Sequence, residues 1–189
     1  TLSSAASDVY KRQTHYSVVD KDGNAVSVTT TINSGYGSGI TVTGAGFILN
    51  NEMDDFSSKP GVPNMFGLLG NEANAIEPAK RPLSSMTPTI VLKNEKPFLV
   101  LGTPGGSTII TTVLQNFLNV ALHQMSIKKA IDAPRFHSQW MPDIIDYEKN
   151  SLSKKVLTNL KQMGHALNQR GSIGEANGIM IDSLGFWGG

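Results

Sequence analysis

The apolar pattern of this chain changes its period at Thr103-Pro104-Gly105-Gly106. Before this stretch, apolar and polar residues alternate in short runs such as residues 89–93, which is the pattern of β-strands. After it, apolar residues recur every three or four positions from residue 109 to residue 122, as on one face of a helix. Strand pairs followed by helices and then by further strands predict an α+β fold built in layers.

Turn residues and periodicity predict the individual elements of this fold. Asp22-Gly23-Asn24 separates two alternating runs and is typical of a tight hairpin turn. Residues 54–81 contain many Pro, Gly and Asn residues, and a loop this long inside a compact domain is usually functional. Strands are predicted at residues 16–19, 25–31, 46–50, 89–93, 97–102, 166–169 and 178–182, and helices at residues 107–122, 127–131 and 156–163, the last ended by Gly164.

Composition and charge exclude several classes of protein. Of the 189 residues, 39% are apolar and 16% are charged, and the net charge is +1, which argues against a nucleic-acid-binding protein and against disorder. The chain has no cysteine, so a disulfide, a thiolate metal site and a cysteine nucleophile are excluded. No apolar run reaches the roughly 18 residues of a membrane span. The four histidines lack a metal-binding spacing, and His15 and His137 are predicted to be structural.

The stretch TPGGSTIITTVL, residues 103–114, places two glycines between a predicted strand and a predicted helix. Backbone N–H groups at a helix N-terminus favour negative charge, and glycine lets a ligand approach them closely. One interpretation is therefore a cradle for an anion or an oxyanion. The other is a plain tight connection. A phosphate loop is excluded because the Gly-Lys-Ser/Thr ending is missing.

Two polar stretches complement each other chemically. NNEMDDF contains three carboxylates, whose spacing does not match a calcium loop, and KRPLSSMTPT contains two adjacent hydroxyls before a strand. Either stretch alone is an ordinary turn. Together they offer acceptors for an ammonium group and donors for a carboxylate, as a free amino-acid head group requires. The side chains concerned are those of Glu52, Asp54, Asp55, Ser84 and Ser85.

These pieces, taken in order, resemble the small, catalytic subunit of γ-glutamyltranspeptidase, an N-terminal-nucleophile hydrolase. The resemblance runs from residue 14 to about residue 185. Several matches in sequence are far more specific than any one of them. The stretches that carry the resemblance are THYSVVDKDGNAVSVT, NNEMDDFSSKPGVPN, NAIEPAKRPLSSMTPTIV, GTPGGSTIITTVLQ and APRFHSQW.

The resemblance implies a four-layer αββα fold in one domain over residues 14–189, and a precursor that cuts itself so that a threonine becomes a new N-terminus. The hydroxyl of this threonine attacks the γ-glutamyl amide of glutathione or a similar donor, with its own α-amine as general base. The γ-glutamyl group then passes to an amino acid, a peptide or water. No cofactor and no metal are implied. The partner is the large subunit of the same precursor, and the expected location is periplasmic or secreted.

Residue roles also follow from the resemblance. The oxyanion donors fall on Gly105 and Gly106, and Thr31 matches the threonine that bonds the hydroxyl of the nucleophile. Phe66, in a lid loop of roughly residues 60–71, places an aromatic ring over the site. The ammonium group of the substrate is bound by acceptors at Asn33, Glu52 and Asp55. Its carboxylate is bound by donors at Ser84 and Ser85, together with an arginine of the large subunit.

The chain departs from the family pattern at both ends. The nucleophile of the family lies two positions before the histidine of the THYSV-like strand, which is Gln13 here, and Thr14 is its neighbour. Residues 3–13, SSAASDVYKRQ, resemble a translated sequencing adapter. We therefore expect residues 1–13 to be a non-native leader with few contacts to the domain, in which Val9 and Tyr10 are exposed. The family continues past Phe186-Trp187 with an Asp-Pro-Arg segment, so we expect a gene fragment truncated at its C-terminus.

Two other functions stay open. A related N-terminal-nucleophile acylase, of the cephalosporin or poly-γ-glutamate type, would act on a different side-chain amide. A catalytically inactive binding or structural subunit would keep the pocket without the nucleophile. The residue at position 13 separates these possibilities, because threonine supports an enzyme, whereas the glutamine present supports an inactive chain or a sequence artefact.

Overall fold

The computed structural model describes residues 13–189. The predicted leader lies outside the described residues except for Gln13, so the predicted exposure of Val9 and Tyr10 stays a prediction. The described chain divides into two units. Unit 1 contains residues 13–14 and 30–85, and unit 2 contains residues 15–29 and 86–189.

The described residues form three sheets and three α-helices, nearly all within unit 2. A hairpin pairs β1 with β2, a four-stranded antiparallel sheet has the order β3-β4-β8-β9, and a third sheet has the order β5-β6-β7 with β6 and β7 parallel. This mixture confirms the α+β class. The bounds are β1 (Thr14–Val19), β2 (Ala25–Thr30), β3 (Thr89–Lys93), β4 (Lys96–Gly102), α1 (Ile109–Ala121), α2 (Ile127–Asp132), β5 (Phe136–His137), β6 (Ile144–Glu148), α3 (Lys154–Gln162), β7 (Ala166–Arg170), β8 (Asn177–Asp182) and β9 (Gly185–Gly188).

The predicted strands are confirmed except for one. Residues 46–50 form no strand and make a single isolated bridge, between Thr41 and Ile48. The reason is that Gly44 and Gly46 adopt φ angles of 83° and 73°, which turn the chain instead of extending it. β5, β6 and β9 were not predicted, because their sequences FH, IIDYE and GFWG contain no sustained alternation of apolar and polar residues.

The core of unit 2 lies where β4 meets α1 and α2. Its buried apolar residues are Leu99, Leu101, Ile109, Val113, Val120, Ile127 and Ala130. The predicted helix over residues 107–122 begins later, because Gly106–Thr108 forms a 3-10 turn that leads into α1. The predicted apolar face is confirmed in part, because Ile109 and Val113 are buried in the core. Ile110, Leu114 and Leu122 are exposed in the described structure, whereas Thr112 and Asn116 are buried.

Unit 1 is built from turns. Among its described residues there is no α-helix, and the helical segments are two 3-10 turns, Glu52–Asp55 and Glu72–Asn74. Isolated bridges join Ser57 to Ala75 and Pro63 to Leu69. The predicted irregular segment at residues 54–81 is therefore confirmed, and the acidic stretch follows a turn, not a strand as predicted.

Candidate active site

Three carboxylates lie on the 3-10 turn Glu52–Asp55 of unit 1. Burial raises the pKa of Glu52 to about 7, and a hydrogen bond to Asp55 and the charge of Asp55 act in the same direction. The Glu52 carboxyl group therefore carries a proton in part of the molecules near neutral pH. A cation placed between the Glu52 and Asp55 carboxyl groups would favour the loss of that proton, so the pair suits an ammonium group.

Asp55 is joined to the serine stretch. Ser85 Oγ donates to Asp55 Oδ2 at 2.9 Å, while Ser84 beside it is exposed. Asn74 connects the same two segments through the backbone, because its Nδ2 donates to Asp55 O at 2.7 Å and its Oδ1 accepts from Leu83 N at 2.9 Å. The structure thus brings the predicted ammonium acceptors and one of the predicted carboxylate donors together.

Asn33 is buried and adopts a positive φ of 72°. Its Nδ2 donates to Asn51 O at 3.1 Å, and its backbone N–H donates to Thr31 Oγ1 at 2.9 Å. A second bond joins the same two segments, because the Asn51 side chain accepts from Ser34 N at 2.9 Å. These bonds hold the segment that carries Thr31 and Asn33 against the residue that precedes Glu52.

The predicted lid loop is an ordered turn. Asn64 Oδ1 accepts from the backbone N–H groups of Phe66 and Leu68, each at 3.0 Å, and Asn64 Nδ2 donates to Asp54 O at 3.5 Å. Phe66 is half-buried. The turn is therefore tied to the backbone of the acidic stretch.

Gly105 and Gly106 lie at the start of the 3-10 turn that leads into α1, as predicted. Their φ angles are 150° and 57°, a pair of conformations that only glycine adopts readily. Thr108 fixes this corner, because its backbone N–H and its Oγ1 both donate to Gly105 O, at 3.2 and 2.8 Å. The N-terminal end of a helix favours negative charge, so the corner suits an oxyanion.

His15 in β1 is buried, and burial lowers its pKa. Its ring nitrogens contact Thr29 Oγ1 at 2.8 Å and Ser17 Oγ at 3.1 Å. The ring lies so close to Gly102 that a Cβ there would stand 2.1 Å from it. His15 is thus a structural residue, as predicted. Thr14 is exposed, and strand alternation therefore places position 13 on the same side of the strand as His15.

His137 is structural as well. Its Nδ1 contacts Thr111 Oγ1 at 2.8 Å, and its Nε2 contacts Gln139 Oε1 at 2.7 Å. Among residues 13–189, no group of three or more histidine and acidic side chains is arranged to hold a metal ion. None of the helices in the same part of the chain is both long and apolar enough to cross a membrane.

Three residues that organise these sites were not predicted from the sequence: Asn51, Asn64 and Asn74. The asparagines lie in segments rich in turns, where Asn commonly binds nearby backbone groups. That preference is the only signal in the sequence that could have pointed to them.

The chain is similar to known proteins over most of its length. The chain matches the family model described as Gamma-glutamyltranspeptidase over residues 3–189. The glutathione hydrolase proenzyme of Escherichia coli (strain K12) is 53% identical over 168 residues, which cover 89% of this chain and 29% of that protein. The protein of the same name from Pseudomonas aeruginosa is 51% identical over 172 residues, covering 89% of this chain and 31% of that protein.

Solved structures give the same result. A mutant of Helicobacter pylori γ-glutamyltranspeptidase has a TM-score of 0.88 at 57% identity, covering 93% of this chain and 97% of that chain. A cephalosporin acylase from Bacillus halodurans has a TM-score of 0.77 at 25% identity, covering 92% of this chain and 31% of that chain.

The family match includes residues 3–13, and the assignment of those residues to a leader stays a prediction. The chain spans less than a third of the length of the curated relatives that it matches. Because the family model covers nearly all of its residues, the chain belongs to the γ-glutamyltranspeptidase family.

Proposed function

We propose that this chain carries catalytic residues of a γ-glutamyltransferase and glutathione hydrolase, which cleaves γ-glutamyl amides and transfers the γ-glutamyl group to amino acids, peptides or water. The observation that carries the proposal is the hydrogen-bonded group of Glu52, Asp55 and Ser85. It joins a carboxyl pair to a hydroxyl donor, and these are the opposite partners that one amino-acid head group needs.

The substrate head group would be bound at both of its charged ends. Glu52, Asp55 and Asn33 would accept hydrogen bonds from the α-ammonium. Ser84 and Ser85 would donate to the α-carboxylate, together with an arginine of the large subunit. In the structure Ser85 donates to Asp55, so substrate binding would turn this hydroxyl from the carboxylate of the protein to that of the ligand.

Acyl transfer would use the residue at position 13. A threonine there would attack the γ-carbonyl carbon through its hydroxyl, and its α-amine would take up the proton. The resulting α-ammonium would give that proton to the leaving amine, which departs as the tetrahedral intermediate collapses to the γ-glutamyl ester. The amides of Gly105 and Gly106 would donate to the oxyanion, and Thr31 would bond the attacking hydroxyl. Gln13 provides no hydroxyl, so we expect the chain as it stands to be inactive.

The partner in this proposal is the large subunit of the same precursor. The curated relatives are named proenzymes and are matched over about a third of their length or less, whereas the solved Helicobacter pylori chain is matched over 97% of its length. This difference supports a precursor that is processed into two chains. The proposal also includes the four-layer αββα arrangement, the lid role of Phe66, glutathione as a donor, and export to the periplasm or beyond.

An inactive binding subunit is the second candidate, and the glutamine at position 13 favours it. Such a protein would keep the head-group site and bind γ-glutamyl compounds without turnover. Sequencing the parent gene across codons 13 and 14 separates the two candidates, because an enzyme requires a threonine codon at position 13.

Release of a chromophore from a γ-glutamyl anilide tests the enzymatic proposal. Three proteins are compared: the chain as given, the chain starting at Thr14, and a rebuilt two-subunit enzyme with Gln13→Thr at a free N-terminus. We expect turnover only from the third, because moving one residue along a strand turns the side chain to the opposite face. Turnover by the chain starting at Thr14, at a rate near that of the rebuilt enzyme, would show that the nucleophile is misplaced.

A further inference from the structure

The Gly105-Gly106 corner needs support from outside its own backbone. Glycine loses more conformational freedom on ordering than any other residue, and it has no side chain with which to anchor itself. Within the corner, Thr108 binds Gly105 O, but this contact belongs to the helical turn and leaves the strand side of the corner to other residues.

A second segment of unit 2, Ile173-Gly174-Glu175, lies directly against the strand side of the corner. We call it the strap. A Cβ on Gly105 would stand 3.4 Å from Gly174 Cα. A Cβ on Gly174, where φ is 72°, would stand 2.8 Å from Thr103 Oγ1. The two backbones therefore touch at a point where both residues are glycine.

Thr103 joins the corner to the strap through its hydroxyl. This residue is fully buried at the end of β4. Its Oγ1 donates to Pro104 O at 2.6 Å and accepts from Glu175 N at 2.9 Å. One hydroxyl thus binds the backbone immediately before Gly105 and the backbone immediately after Gly174.

The strap is also held from its other end. Glu148 accepts from the backbone N–H groups of Arg135, at 2.8 Å, and Ile173, at 2.5 Å, through its two carboxylate oxygens. The buried guanidinium of Arg135 donates to Ile173 O at 2.9 Å. Both polar groups of the Ile173 backbone are therefore bound by the Arg135–Glu148 salt bridge, which makes the strap a fixed support.

We propose that Thr103 is a positioning residue for the reaction, which sets the Gly105 and Gly106 amides by tying them to the strap. This inference rests on the proposed function of those amides as oxyanion donors. An oxyanion hole works because its donors are fixed before charge develops, and small displacements of reacting groups reduce the rate strongly. Loss of the Thr103 hydroxyl would therefore affect the chemical step more than substrate binding.

Two variants of the rebuilt enzyme isolate this hydroxyl. Thr103→Val keeps the shape of the side chain and removes both hydrogen bonds, while Thr103→Ser keeps the hydroxyl. We expect Thr103→Val to lower kcat by about 10- to 100-fold with KM changed by less than about twofold, as for a displaced oxyanion donor. Thr103→Ser should retain kcat within about threefold. Equal kcat in the two variants would overturn the inference.

A matched control and a second variant complete the activity test. Thr112 is also fully buried, but its hydroxyl has no partner in the described structure, so Thr112→Val should leave kcat unchanged. If Thr103→Val does not fold, Glu148→Gln provides the second variant, because it removes one acceptor from the far end of the strap. A Glu148→Gln enzyme with unaltered kcat would also overturn the inference.

NMR of the chain itself separates this inference from the proposed function. In the 15N-labelled 189-residue protein, Thr103→Val should shift the amide resonances of Gly105 and Gly106 and speed their hydrogen exchange, and Thr103→Ser should not. If the chain shows these NMR changes but the rebuilt enzyme has no activity, the positioning role is supported and the proposed function is refuted. If the rebuilt enzyme is active but Thr103→Val leaves the Gly105 and Gly106 resonances unchanged, the positioning role alone is refuted.

Discussion

Units 1 and 2 are ordered by different interactions. Unit 2 packs β4 against α1 and α2 through a continuous apolar core. Among the described residues of unit 1, Phe56 is the one apolar side chain that is buried, and asparagine side chains bind backbone groups across its turns. The comparison shows that apolar packing holds β4 and α1, which flank the proposed oxyanion corner, whereas satisfied polar groups hold the turns of the proposed head-group site.

A substitution in the core of unit 2 should have the largest effect on stability. Leu99 in β4 is fully buried, and Leu99→Ala should lower the free energy of unfolding by about 2–5 kcal/mol, because it leaves a cavity. Leu92→Ala is the control, since Leu92 on the neighbouring β3 is 59% exposed and its loss should change stability by less than about 0.5 kcal/mol. Urea unfolding measures both, and similar effects would contradict the assigned core.

The sequence predicted unit 2 better than unit 1 for a physical reason. Apolar residues that pack in a core recur at regular spacing along a strand or a helix, so β4 and α1 were visible as periodic runs. The exception is the buried face of α1, where Thr112 and Asn116 replace Ile110 and Leu114. Periodicity counts apolar residues and does not show which of two adjacent faces meets the sheet.

The supports of both sites could not be predicted in this way. A side chain that binds a backbone group follows no period, so Asn51 and Asn74 left no pattern. Thr103 meets Glu175 across 72 positions, which no local pattern records. The acidic stretch and the serine stretch of unit 1 were instead predicted from their complementary chemistry, and Thr31, Asn33 and Phe66 through the family resemblance. The structure joins the two stretches by the hydrogen bond from Ser85 to Asp55.

A polar substitution in unit 1 should have a smaller and more local effect. Asn74→Ala removes the partners of Asp55 O and Leu83 N, and an unsatisfied backbone group costs about 1–3 kcal/mol. Hydrogen exchange should therefore speed up at residues 52–56 and 83–85, with the core of unit 2 unaffected. Asn71→Ala is the control, because Asn71 is exposed and, in the described structure, its side chain accepts from the nearby Ala73 N, not from the segments at residues 52–56 and 83–85. Faster exchange throughout unit 2 would break the distinction between the units.

The smallest predicted effect is a pH dependence in unit 2. Burial lowers the pKa of His15 below its usual value of 6.5, so the unfolded chain binds a proton at a higher pH than the folded chain. The free energy of unfolding should therefore fall as the pH drops below about 6.5, with no contribution from His15 above that pH.

Urea unfolding at pH 7.5, 6.5 and 5.5 measures this dependence, and His15→Gln should flatten it. A slope that is identical in the chain and in the variant would show that His15 does not titrate as assigned.

The location of the acyl group tests the proposed function most directly. The rebuilt two-subunit enzyme, carrying Gln13→Thr at a free N-terminus, is mixed with a γ-glutamyl anilide, quenched in acid and mapped by peptide mass spectrometry. The proposed function predicts a γ-glutamyl ester on the residue introduced at position 13, and no ester in the same enzyme when Gln13 is kept. An ester on Thr14 or Thr31, or turnover without any ester on the chain, would contradict it.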